Sequence, residues 1–84
     1  FDVAVRLYPD SEVANLNAAN ALLEKGLAQQ ALPYLMKAGE SPEAANSRGV
    51  AMRILERYDE AIKWLQQADN AGLKEAKINL SGIE

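Results

Sequence analysis

Two stretches of this chain carry one pattern, A-x-x-x-L-x-x-A, as Ala31, Leu35 and Ala38 and again as Ala61, Leu65 and Ala68. Phe1 and Ala4 match its last two positions, with Pro9 following, and Ala4 and Ala38 stand 34 residues apart. A recurring period in this range is the signature of arrays of helical hairpins, in which each unit buries its apolar face only by stacking on its neighbours. The opening residues are therefore expected to be the tail of a unit cut by the start of the sequence. Their face, with Phe1, Val3, Val5 and Leu7, is then left open to self-association.

The rest of the sequence narrows the choice by exclusion. An 84-residue chain buries only about 60–65% of its unfolded surface, so modest stability is expected unless the stack continues beyond its ends. The missing initiator Met and the start inside an apolar pattern suggest an excised segment. No cysteine is present, which rules out disulfides and thiolate metal sites and leaves the redox compartment open. The formal net charge of −3 comes from 9 basic and 12 acidic side chains spread along the chain; no continuous cationic surface faces a phosphate backbone, and nucleic-acid binding is not expected. No apolar run approaches the roughly 18–20 residues that cross a bilayer, so membrane insertion of this segment is not expected either.

Helical periodicity runs almost throughout, interrupted by stop and start signals. A first helix from Phe1 to about Tyr8 ends at Pro9. Asp10 and Ser11 can cap the next, from Glu12 to about Lys25, whose apolar set Val13, Leu16, Ala19, Leu22 and Leu23 keeps helical spacing and which Gly26 closes. A third spans about Ala28–Ala38 up to Gly39, with Pro33 somewhat late for a first turn. Ser41, Pro42 and Glu43 supply a hydroxyl cap, a first-position proline and an acid at the positive helix end. They start a helix that runs to about Glu56. A turn through Arg57 and Tyr58 leads to a helix from Asp59 to Asn70 closed by Gly72, and Lys74 to Leu80 forms the last. Helix should exceed about 65% of residues, with no strand.

These residues resemble the tetratricopeptide repeat over nearly the whole chain. Ala19 and Gly49 fall at the small position of the first helix, and Ala31 and Ala61 near the start of the second. Leu35, Leu65 and Phe1 fill the gap between hairpins, Tyr58 matches the turn aromatic, and Pro9 the closing proline. Helices crossing within about 8–10 Å need such small contact residues beside bulky ones. One departure is that Ala38 to Gly49 spans 11 residues where Ala4 to Ala19 spans 15, a connection about one turn shorter. That shortening, with Ala61, Trp64, Ala68, Gly72, Ala76 and Leu80, is similar to the related Sel-like repeat, whose A-x-x-W-x-x-x-A-x-x-x-G-x-x-x-A-x-x-x-L pattern is met in full. The resemblance implies an all-α, right-handed superhelix of antiparallel hairpins with about five to six short helices. One domain over 1–84 would comprise a preceding repeat's tail (1–11), full repeats over 12–41 and 42–73, and a capping helix (74–84). The segments Tyr8-Pro9-Asp10, Ala14 to Asn20 and Ala38 to Ala44 further resemble the C-terminal repeat segment of fimbria-associated, outer-membrane-protein-A-like proteins of Gram-negative gut bacteria. This implies a periplasmic or outer-membrane-associated setting.

Catalysis has little to work with. The chain has no His and no Cys, and no carboxylate pair lies in an apolar run that would raise a pKa. Asp59 and Glu60 serve the dipole of the helix they begin. The scattered acids lack the spacing of a calcium loop, and the glycines are single helix stops, so no enzyme activity, metal or cofactor is expected. Trp64, Tyr34 and Tyr58 could stack a ligand, yet each falls at a position that packs between hairpins. Asparagine is the unusual enrichment: Asn15, Asn17, Asn20 and Asn46 lie on first helices, where it is a mediocre helix former. In peptide-binding tetratricopeptide proteins first-helix residues line the inner groove. By that alignment the groove shows Val13, Leu16, Asn20, Leu23, Glu43, Asn46, Val50 and Arg53. Asn20, Asn46 and Arg53 are the candidate peptide-binding residues, while the family's carboxylate-gripping basic set is missing apart from Arg53. The other reading is asparagines that bridge loops or sit in solvent. The expected role is a non-enzymatic protein-interaction or scaffolding module with a protein or peptide partner. The alternatives are a structural spacer with no groove ligand and an accessory domain of an enzyme.

Overall fold

A computed structural model describes residues 11–83, and these hold five helices: α1 (Glu12–Glu24), α2 (Ala28–Met36), α3 (Pro42–Ile54), α4 (Tyr58–Asn70) and α5 (Lys74–Ser81). Helix takes up 77% of the described residues, and no strand occurs among them. The expected helix over Phe1–Tyr8, the turn at Pro9 and the open N-terminal face lie outside the described residues.

Helices α1 and α3 begin and end on a register of 30 residues. Ser11 and Ser41 each accept a hydrogen bond through the side-chain oxygen, from the backbone N–H of Ala14 and Ala44, both at 3.2 Å. These caps satisfy first-turn donors that have no partner inside the helix. At the other end of α1 the N–H of Leu27 reaches the Leu22 carbonyl at 2.9 Å, and at the end of α3 the N–H of Arg57 reaches Met52 at 2.8 Å. The residue just before each of these donors is left-handed: Gly26 with φ 75° and Glu56 with φ 63°. The end of α4 repeats the arrangement, with Leu73 N–H on the Ala68 carbonyl at 3.1 Å after Gly72 at φ 95°, so one C-terminal motif is built three times, twice on glycine and once on Glu56.

The short links 25–27, 55–57 and 71–73 turn each helix back on its predecessor as an antiparallel neighbour. Consecutive helices pack together all along the chain; in addition α1 touches α3 and α3 touches α5, whereas α2 and α4 do not approach each other. Helices α1, α3 and α5 thus form one continuous row, with α2 and α4 each packed against it. Two core clusters follow from this: Ala19, Leu23, Ala28, Ala31, Leu35 and Ala51 between α1, α2 and α3, and Ala45, Leu65, Ala68, Ala76 and Leu80 between α3, α4 and α5. Ala31, Ala61, Leu65 and Ala68 have no accessible surface, as expected of the repeated pattern. Residues 31–40 and 61–70 alternate between buried, half-buried and exposed in the same order, position for position.

The boundaries differ from expectation at the ends of α2 and α3. Helix α2 stops at Met36, two residues before Ala38, and is one turn shorter than α4, and a five-residue link, 37–41, follows it; α3 stops at Ile54, two residues before Glu56. Pro33 lies inside α2 and is exposed. The Leu35 carbonyl near the end of α2 is also held from outside: the Arg48 guanidinium donates to it at 2.8 Å and lies 5.1 Å from the centre of the Trp64 ring. Trp64 and Tyr34 are half-buried as expected of packing residues, but Tyr58 is 48% exposed and does not fill a gap between hairpins.

Candidate groove on the first helices

Because α1, α3 and α5 lie side by side, residues one helical face apart on each converge on a shared surface. A groove of about 560 Å³ runs across it, lined by Asn20, Leu23 and Glu24 of α1, Glu43, Asn46, Ser47, Val50 and Arg53 of α3, and Glu75, Ile78 and Asn79 of α5. All three candidates from the sequence, Asn20, Asn46 and Arg53, stand on it together with Leu23, Glu43 and Val50. Val13 and Leu16 do not. Val13 is 68% exposed on the first turn of α1, and Leu16 packs against the first core cluster.

The polar groups of the groove pair across helices. The hydroxyl of Ser47 donates to Asn20 Oδ1 at 2.6 Å, tying α3 to α1. Asn79 donates through Nδ2 to Asn46 Oδ1 at 2.9 Å and accepts from the Arg53 guanidinium at 3.4 Å, tying α5 to α3. Ser47 is buried, Asn46, Arg53 and Asn79 are half-buried, and Asn20 is exposed. An amide offers two donor hydrogens and an acceptor oxygen, so each asparagine keeps hydrogen-bonding capacity beyond these contacts. The asparagines outside the groove have other roles: Asn15 is buried and donates to the Ser11 carbonyl at 2.8 Å, while Asn17 is exposed.

Sequence reasoning missed Ser47, Asn79, Glu24, Glu75 and Ile78. Asn79 was within reach of its own rule, since it is an asparagine on the last first-type helix. The three carboxylates Glu24, Glu43 and Glu75 are exposed and form no ion pair among the described residues, where the ion pairs are Arg48 with Glu40 and Arg57 with Glu60. Among the described residues no group of three or more His, Cys, Asp or Glu side chains could hold a metal, and no helix is long and apolar enough to cross a membrane. No family model, curated protein or solved structure matches the chain.

Proposed function

We propose that the chain is a helical-repeat module of the tetratricopeptide and Sel-like kind, a right-handed superhelix of hairpins, and that it works without catalysis by binding an extended segment of a partner protein in the groove of α1, α3 and α5. The observation that carries this reading is the convergence of Asn20, Asn46 and Arg53 on one continuous surface across the inner helices. Amide side chains at such spacing suit a peptide backbone, which presents alternating N–H and C=O groups. The cell-envelope setting, periplasmic or at the outer membrane as part of a larger protein, rests on the sequence resemblance.

Peptide display against the immobilised chain tests the reading, with Asn46→Ala and Arg53→Ala each expected to weaken the selected peptides by roughly 1–2 kcal/mol. Circular dichroism of each variant checks that the helices persist. A second reading is favoured by the mutual pairing of Asn46, Asn79 and Arg53: these groups hold α5 against α3 in a spacer with no groove ligand. Loss of thermal stability in both variants, with peptide binding unchanged in the double variant, selects the spacer.

A further inference from the structure

We infer that the groove takes a basic segment, with lysine or arginine side chains along one edge and an apolar side chain on its wall; this rests on the groove being a binding site. The charges are unevenly placed. Glu43 and Glu75 lie in the first turns of α3 and α5, while Glu24 ends α1 and Arg53 lies in the last turn of α3. The first-type helices run in the same direction, because each is separated from the next by one antiparallel helix. Glu43 and Glu75 therefore share one edge, and Glu24 and Arg53 share the other, where their charges offset.

The positive end of a helix contributes about half a charge, so the Glu43 and Glu75 edge stays negative even after both helix ends are counted. An acidic ligand, such as a chain's terminal carboxylate, would meet two uncompensated carboxylates there and a single guanidinium already engaged with Asn79. Like charges brought together in this way discriminate against the wrong partner. A cationic side chain meets neither obstacle.

The apolar part of the surface is independent of the charges. Ile78 is 71% exposed on the groove wall, beside half-buried Val50 and buried Leu23. Covering it rewards an occupant that brings an apolar side chain of its own. Three helices at about 8–10 Å spacing are spanned by about five or six extended residues. In an extended segment successive side chains point to opposite sides, so alternating basic and apolar residues place one kind on Glu43 and Glu75 and the other on Ile78 and Val50.

The test uses three capped, fluorescein-labelled hexapeptides in which valine alternates with lysine, glutamate or serine. Titrations are followed by fluorescence anisotropy and by NMR of the Asn46 and Asn79 side-chain amides of the whole chain. The lysine peptide is expected to bind roughly tenfold tighter than the glutamate peptide at low salt, with the ratio shrinking as salt rises. Glu43→Gln with Glu75→Gln should bring the ratio toward one, and Glu43→Lys with Glu75→Lys should invert it. Equal binding, or a preference for the glutamate peptide, overturns the charge inference while leaving a peptide groove in place. Failure of all three peptides to shift the Asn46 and Asn79 amides overturns the groove reading together with it.

Discussion

Gly49 is where the packing of the hairpin is most exacting, and Gly49→Ala measures it. The residue lies in the middle of α3 facing α4, and a Cβ built there would stand 2.5 Å from Leu65 Cγ, 2.7 Å from Leu65 Cδ2 and 3.2 Å from the Ala61 carbonyl oxygen. Leu65 and Ala61 have no accessible surface, so the leucine has nowhere to swing and the carbonyl belongs to a helix backbone. Replacing glycine by alanine inside a helix normally gains about 0.5–1 kcal/mol, whereas an extra carbon in a filled core costs about 1–3 kcal/mol. The clash exceeds the propensity gain, leaving a net loss of about 1–2 kcal/mol. For a domain of this size that lowers Tm by roughly 4–16 °C, read by thermal and urea unfolding followed by circular dichroism. The same change made in a Leu65→Ala background removes the obstructing branch, and there Gly49→Ala should become neutral or stabilising, a coupling that a double-mutant cycle isolates. If Gly49→Ala stabilises the unmodified chain by the full propensity gain, α3 and α4 do not approach through this contact and the packing argument fails.

Glu56 carries a left-handed backbone, φ 63°, at the position where Gly26 stands 30 residues earlier; Glu56→Gly should raise stability by about 0.5–1 kcal/mol, seen as a higher urea midpoint with an unchanged slope. Arg48 caps α2 through the Leu35 carbonyl and lies over Trp64, with only 13% of its side chain accessible. Arg48→Met should cost about 1.5–3 kcal/mol in chemical denaturation and change the Trp64 fluorescence, and an unaltered spectrum would count against the contact. Ser41→Ala removes the hydroxyl acceptor at the start of α3 and is expected to lower stability by about 1 kcal/mol, whereas Ser41→Asp should retain most of it.

Helix starts and stops were legible wherever a dedicated residue marks them. Ser41 with Pro42 placed the start of α3 at the right residue, and Gly26 and Gly72, with φ 75° and 95°, sit where helix-closing glycines were expected. Glu56 was not legible as a left-handed terminator, because glutamate favours the helix and its side chain carries no signal for φ 63°. The expected end of α3 therefore fell two residues late. The end of α2 was misplaced for a related reason. Ala38 continues the apolar spacing and is buried, but it reaches the core from beyond the helix end, its N–H on the Leu35 carbonyl three residues back at 3.2 Å, a carbonyl that Arg48 also engages.

The groove divides along the same line. Asn20, Asn46 and Arg53 are placed by the resemblance to tetratricopeptide repeats, which says which face of a first helix lines the groove; helical periodicity alone puts residues on a common face without saying which face that is. Their partners are placed by neither, since Ser47 joins Asn20 across 27 residues and Asn79 joins Asn46 across 33, separations set by how one hairpin rests on the next. The two pairs are offset in opposite senses from the 30-residue register of the caps. The inner helices are therefore not related by a simple shift of side-chain roles: α3 offers Ser47 to the helix before it and Asn46 to the helix after it, from adjacent positions. A helix that presents adjacent residues to its two neighbours has those neighbours on either side of one exposed face, and that face is the floor of the groove. The polar pairs thus tie α1, α3 and α5 together across the face on which recognition of a basic segment is proposed.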